Sequence, residues 1–295
     1  MSERIKNNTV KSCLIIFTVL ILVHGFEAIF LRMDETVLGE NFINKVFGII
    51  MIVVILKLIN WKGEDIGFKK GLITGYGLKS ISLGLLLALV SFAIAYSVEV
   101  IILKSQGHNV SFGIFTTGFS LTGDAEIHTG IGFILMCIFF NIINVIMEEG
   151  TFRGLFNKLI ATNHSPKFAL LFQALLFGVW HIVTPLHNLL DGDIGIGAFI
   201  GLGVGYIILA GMMGIKWGLL YRMTGSLYAG MADHFFNNCI ATNLLHITTE
   251  SGTDEMMIVR VMIAQLLSFI GVVIFSRKYM NESKENKRCL AGIPS

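Results

Sequence analysis

Apolar residues along this chain gather into long, nearly unbroken runs, not into the alternation of a half-buried strand. A helix needs about 20 mostly apolar residues to cross the hydrocarbon layer of a bilayer. Eight runs approach that length: Cys13 to Leu31, Phe42 to Ile59, Ile81 to Leu103, Ile131 to Leu159, Phe168 to Leu186, Ile194 to Leu220, Leu227 to Ile247 and Met256 to Phe275. The pattern predicts an all-α polytopic membrane protein with about eight transmembrane helices. The second run is the weakest, and its Lys45 and Lys57 sit near its ends, where long side chains can snorkel to the interface. In the sixth run Gly197, Gly201 and Gly205 at four-residue spacing, followed by Gly214 and Gly218, predict close helix approach.

Composition agrees with this reading. With 54% apolar and 14% charged residues in 295, there is too little polar surface to clothe a soluble globule, and the disordered class is excluded with it. Of the 22 Lys and Arg, 18 fall on one set of alternating loops and helix ends, among them Lys57, Lys62, Lys69, Lys70, Lys79, Arg153, Lys216, Lys284, Lys287 and Arg288. The opposite set holds Arg32, Lys45, Lys104 and Arg260, with acidic residues such as Asp34, Glu35, Asp124, Glu126, Asp191, Asp193, Asp254 and Glu255. Basic excess marks cytoplasmic loops, so a multi-pass plasma-membrane protein with both termini in the cytoplasm is expected. The first run lacks a small-residue cleavage site and reads as a retained anchor. A net charge of +2 without a basic, aromatic-rich stretch argues against a nucleic-acid partner. Cys13, Cys137, Cys239 and Cys289 are far apart and read as packing thiols. The expected organisation is an N-terminal membrane region of three helices over 1–127, with a Gly- and Lys-rich connector from Trp61 to Lys79. A four-helix core follows over 128–247, then the last helix with a basic tail over 248–295.

Ionisable residues inside a spanning helix cost about 2.5 to 3.5 kcal/mol each at its centre, so each needs a reason. Glu27, Glu99, His24, His187 and His246 fall toward the outer ends, where headgroups and water can satisfy them. The exception is Met147-Glu148-Glu149-Gly150-Thr151-Phe152-Arg153 in the fourth run. On an α-helix Glu149 and Arg153 are i and i+4 and can pair, while Glu148 points about 100° away and lacks that partner. A carboxylate so placed is a candidate acid or base. His181 lies 33 residues on, and the midpoint falls in the turn sequence Ala161-Thr-Asn-His-Ser-Pro166, so two antiparallel helices would bring Glu148 and His181 level. The seventh run adds His234 and Asn238, an i, i+4 pair on one face.

A carboxylate, two imidazoles and an amide in a cytoplasm-facing intramembrane cavity are the parts needed to hydrolyse a peptide bond with water as nucleophile. Glu148 would activate a water also held by His181, His234 and Asn238 would hold the oxyanion, and Glu149 with Arg153 would give structural support. At these residues the sequence resembles the CPBP family of intramembrane glutamic endopeptidases, which includes type II CAAX prenyl proteases and bacteriocin-processing or self-immunity proteins. Glu148-Glu149-x-x-x-Arg153, Phe177-x-x-x-His181 and His234-x-x-x-Asn238 are similar to its three motifs, over roughly Ile131 to Ile247. The resemblance implies those same roles for these residues, a peptide or membrane-protein substrate at the bilayer, and neither cofactor nor metal. Asp233 falls where family members vary, and the first three helices and the last are not distinctive. Three rivals stand beside it: a zinc-dependent membrane protease using the same carboxylate and histidines, a transporter, and a non-catalytic immunity or regulatory scaffold.

Overall fold

A computed structural model describes residues 2–35, 41–72, 75–117 and 127–290, with the backbone alone from 280 onward. Asp124 and Glu126, connector residues 73–74, and the side chains of Lys284, Lys287, Arg288 and Cys289 lie outside the described residues. The chain is a helical bundle. Helix α1 (Ser2–Asn7) leads into α2 (Thr9–Phe26), which ends in a π-helical turn, Glu27–Leu31. Then come α3 (Ile43–Leu58) and α4 (Gly75–Ser105). Helix α5 (Ile131–Glu148) runs through a π-helical stretch, Glu149–Phe156, into α6 (Asn157–Ile160). Helices α7 (Pro166–Trp180), α8 (Val183–Leu190), α9 (Ile196–Thr224) and α10 (Tyr228–Phe235) follow. A second π stretch, Phe236–Ala241, extends α10, and α11 (Met257–Leu290) closes the chain. Two small antiparallel ribbons join the loops: β1 (Ser111–Ile114) with β4 (Leu245–Thr248), and β2 (Thr116–Thr117) with β3 (Ile127–His128).

Among the described residues, six helices have the length and apolarity to cross a bilayer: Thr9–Leu31, Gly75–Ser105, Ile131–Ile160, Pro166–Leu190, Ile196–Thr224 and Met257–Tyr279. The expected count of eight is not reached, because the second and seventh runs form shorter elements. Helix α3 has 16 residues, about 24 Å at 1.5 Å per residue. The seventh run is helical only from Tyr228 to Ala241 before the chain turns into β4. Its polar stretch Asp233–Asn238 faces protein groups, not lipid, so a full apolar length is not required of it.

Local chemistry sets several element ends. The Ser165 hydroxyl accepts from the Phe168 amide at 3.2 Å, and Pro166 occupies the first turn of α7. Pro185 cannot donate to the carbonyl four residues back, which is that of His181, so α7 and α8 part there. Gly225 ends α9 in the left-handed region at φ 63°. The loops gather at two ends. At one, Asn163 donates to the Lys6 carbonyl at 2.5 Å, the Leu227 amide to that of Gly67 at 3.1 Å, and the Tyr76 and Tyr228 hydroxyls to the carbonyls of Thr224 and Lys69. At the other, Arg32 pairs with Glu35 and Asp191, β1 meets β4, and the Asn109 amide bonds Glu250. This is the partition of loops that the charge pattern predicts. Four charges leave the tally, however: Arg153, Lys216 and Arg260 are fully buried, and Lys45 is half-buried.

Glycine use also differs from expectation. Gly197, Gly201 and Gly205 have nothing near a would-be Cβ, whereas one at Gly214 would lie 2.9 Å from Ala174 Cα and one at Gly178 2.6 Å from the Ile207 carbonyl. The close approach is therefore between α7 and the part of α9 from Ile207 onward. The core there is aromatic, with Phe152, Phe156, Phe177, Trp180 and Trp217 all buried, and Cys13 packs in the same cluster.

Glu27 and Glu99 have structural roles, but both are buried and protein groups satisfy them, not the headgroups and water expected from the sequence. Glu27 accepts the Ile43 and Asn44 amides at 2.7 and 2.6 Å, capping α3. Arg260 binds Glu99 and Asp254 at 2.9 Å each, and Asp254 also takes His246 Nδ1 at 2.6 Å. Burial alone would push the Asp254 carboxyl up, but the His246 hydrogen bond and the Arg260 charge prevail and hold it below the usual range. Its stabilisation is therefore present above the unfolded pKa of about 3.9 and is lost as pH falls through the lower folded value. Asp254→Asn should cost about 3 kcal/mol, the low end for breaking a buried pair. Thermal unfolding in detergent should show that loss at pH 7, and a shallower decline below about pH 4 than in the unsubstituted protein.

Candidate active site

The three motifs converge on one buried centre at the two transitions from α to π geometry. Glu148 is the last residue of α5 and Glu149 the first of the π stretch, while His234 lies in α10 and Asn238 in the π stretch after it. Such π segments recur at functional sites because they re-aim side chains within a helix. Here both carboxylates reach the same imidazole. Glu149 Oε1 is 3.0 Å from His234 Nδ1 and Glu148 Oε2 is 3.5 Å from His234 Nε2. The expectation that Glu148 turns away from the Glu149 and Arg153 pair is thus modified: the pair forms, at 3.4 Å, but Glu148 faces the other edge of the ring that Glu149 holds.

Glu148 is not without a counter-charge. Its Oε1 accepts the Trp180 indole N–H at 3.0 Å and lies 3.4 Å from Lys45 Nζ. Lys45 thus turns inward and does not snorkel, and Trp180, one residue before His181, brings α7 level with Glu148. The second oxygen, Oε2, has no hydrogen-bond partner among the described residues. His181 caps α7 and is within electrostatic reach of Glu148. Its Nδ1 lies 2.8 Å from the Phe177 carbonyl. A carbonyl only accepts, so Nδ1 carries the hydrogen and Nε2 is left with its lone pair. His181 and Asn238 are half-buried, whereas Glu148, Glu149, Arg153 and His234 are buried. The accessible edge of the centre therefore runs along His181 and Asn238.

His234 is held on every side. Trp217 stacks on it with centroids 4.0 Å apart, and Asn238 Nδ2 is 3.1 Å from Nε2. Arg153 lies over the faces of Phe177 and Trp217, at 3.8 and 4.8 Å, adding cation–π attraction to its ion pair. A Cβ at Gly230 would sit 3.1 Å from Glu149 Oε2, so α10 and Glu149 can approach only without a side chain there. Asp233 binds Lys216 at 2.5 Å and the Trp217 indole at 2.6 Å. His24 packs its ring on Trp180 at 4.3 Å, inside the bundle and not at an outer end.

Elsewhere, Glu35, His187 and Asp191 bring one ligand atom each within 4.8 Å. Arg32 pairs with two of these three, so a guanidinium already supplies the positive charge a cation would bring.

The architecture and this centre define a membrane-embedded helical protein with a buried, water-poor site of carboxylates, imidazoles and amide. Residues 130–240 match the family model of the Rce1-like type II CAAX prenyl endopeptidases, and the three motifs fall within that stretch. The match supports a CAAX-type intramembrane protease in general. No curated protein matches the chain.

Sequence reasoning missed Lys45, Trp180, Trp217, Lys216 and Asp233. The signal available for Lys216 and Asp233 was an opposite-charge pair in neighbouring apolar runs. If Lys45 is a counter-ion to Glu148, Lys45→Met and Glu148→Gln will couple by about 1 kcal/mol or more in a double-mutant cycle of thermal stability. A snorkelling Lys45 would give additive losses instead.

Proposed function

We propose that this protein is a glutamate-dependent intramembrane endopeptidase that hydrolyses a peptide bond by direct attack of water. The observation that carries the reading is the buried Glu148 carboxylate with one oxygen held and the other unbonded beside His234. A water donating to Glu148 Oε2 and to the free Nε2 of His181 loses a proton to Glu148 as its oxygen forms a bond to the amide carbon. The carbonyl π electrons move to oxygen. When the tetrahedral species collapses, the C–N bond breaks and the same proton passes to the leaving nitrogen, so Glu148 returns to its anionic form.

Asn238 and His234 flank the developing oxyanion, with Asn238 as its preorganised donor. Such a donor is worth about 3 to 4 kcal/mol by analogy with other oxyanion sites. Glu149, Arg153 and Lys45 keep the centre electrically balanced and in place. The basic loop set assigns both termini to the cytoplasm of the plasma membrane. The substrate is a peptide or membrane-associated chain, and the prenylated C-a-a-X tail in the family's description is the first to try. Bacteriocin processing or self-immunity would be the physiological setting that the motif resemblance implies.

The test uses purified protein in liposomes with an internally quenched farnesylated C-a-a-X peptide. Glu148→Gln keeps an acceptor for Trp180 but cannot take a proton, so kcat per folded protein should fall by about 10²- to 10⁴-fold, while thermal stability falls because Lys45 loses its counter-ion. Unchanged turnover would exclude Glu148 as the base, and a membrane phenotype that survives the substitution would favour the scaffold reading. Activity should persist in a chelator. Loss on chelation with recovery on added zinc would favour the metalloprotease reading.

A further inference from the structure

A chain of side-chain amides runs from the last helix to the candidate site, and its polarity is fixed at the far end. Lys216 Nζ is surrounded by three acceptors: Asp233 Oδ2 at 2.5 Å, Gln265 Oε1 at 2.6 Å and Ser268 Oγ at 3.1 Å. An ammonium has three N–H donors and no acceptor, so Gln265 must present its oxygen to Lys216 and its NH₂ outward. That NH₂ lies 2.8 Å from Asn237 Oδ1, and Asn237 Nδ2 lies 2.7 Å from Asn238 Oδ1. Asn238 Nδ2 then donates to His234 Nε2 at 3.1 Å. Each amide is oriented by the one before it, so the orientation follows from the ammonium. At the end of the chain Nε2 is an acceptor, and Nδ1 carries the hydrogen donated to Glu149 Oε1 at 3.0 Å.

We propose that the Lys216, Gln265, Asn237 and Asn238 chain sets the tautomer of His234, and that Gln265 and Asn237 are positioning residues of this site. The first three participants are shielded from competing water, since Lys216, Gln265 and Asn237 are buried, while Asn238 is half-buried. The functional consequence, which rests on the proteolytic reading above, concerns the oxyanion. In the resting state Asn238 supplies the donor through its second N–H, and His234 Nε2 holds a lone pair. His234 becomes a donor to oxygen only when the proton that Glu148 took from water passes from its Oε2 to Nε2, 3.5 Å away, with Glu149 stabilising the resulting imidazolium through Nδ1, and that same proton then goes to the leaving nitrogen. Helix α11, undistinguished in the sequence, is thereby tied to the chemistry.

The experiment is ¹⁵N NMR of histidine-labelled full-length protein in detergent micelles, with the His234 signals assigned by their absence in His234→Gln. The unsubstituted protein should show a neutral ring with hydrogen on Nδ1 and an unprotonated Nε2. Hydrogen on Nε2 would overturn the proposal before any relay variant is made. Gln265→Glu presents oxygen at both ends of residue 265, so Asn237 and Asn238 must turn over and offer oxygen to Nε2. The expected result is a His234 protonated on both nitrogens. Gln265→Met removes the ordering without adding charge and should give a mixture of tautomers. It should also lower kcat on the farnesylated peptide about tenfold, the scale of one lost hydrogen bond, with KM little changed. If Gln265→Glu does not fold, Gln265→Met decides: an unaltered tautomer in a folded Gln265→Met protein would refute the relay. A tautomer that responds as expected in a protein inactive on every peptide would sink the proteolytic reading and leave the relay standing.

Discussion

Charge compensation in a low-dielectric interior governs the centre of this molecule. Around His234, three carboxylates, Glu148, Glu149 and Asp233, meet three cations, Lys45, Arg153 and Lys216, in contacts of 2.5 to 3.4 Å. An ion buried without a partner is far more costly than any of these pairs is favourable. The groups come from α3, from the stretch joining α5 to α6, from α9 and from α10, so matching the charges fixes how those elements stand against one another. Lipid offers no hydrophobic force to bring helices together. Polar matching at the centre, with the tight contact of α7 on α9 at Gly178 and Gly214, supplies what that force would in water.

Each of the two carboxylates has one oxygen held and the other without a hydrogen bond, and they differ in what holds them. Glu148 has one oxygen fastened by the Trp180 indole and the Lys45 ammonium and the other without a hydrogen bond. Glu149, next in sequence, is committed to His234 and Arg153. Two adjacent residues of one type thus acquire different duties from their surroundings. The π geometry contributes, because a widened turn lets consecutive side chains address the two nitrogens of a single ring. The rigid aromatic walls, Phe177 and Trp217 around Arg153 and Trp217 on His234, hold that arrangement with groups that lose little freedom on packing.

Much of this was visible in the residues alone, and the parts that were not share a cause. The i, i+4 pairing of Glu149 with Arg153 and of His234 with Asn238 is local, set by helical repeat, and both pairs occur. The level placement of the fourth and fifth runs followed from counting to the turn at Ser165, and the indole beside His181 does reach Glu148. By contrast, Lys45 read as an interfacial charge because a helix end normally lies near water. Glu27 caps α3 at Ile43 and Asn44, and that anchorage leaves Lys45 facing Glu148. Gly197, Gly201 and Gly205 carried the small-residue spacing of a helix interface, but the neighbouring helix packs further along α9, from Ile207 onward. Gln265 and Asn237 gave no signal, since single amides in apolar runs acquire meaning only from what lies across from them.

The sequence by itself determined the solvent, the helical class and the chemical alphabet of the site, because these depend on apolar run length, loop charge and short-range helical spacing. Tertiary structure decided which runs are full spans, which oxygen of Glu148 is unbonded, which cation answers which carboxylate, and that the last helix reaches His234 through two amides. Those outcomes rest on contacts between residues far apart in the chain, 103 positions for Lys45 and Glu148. Their energies depend on distance and burial in three dimensions, quantities that spacing along a chain does not encode.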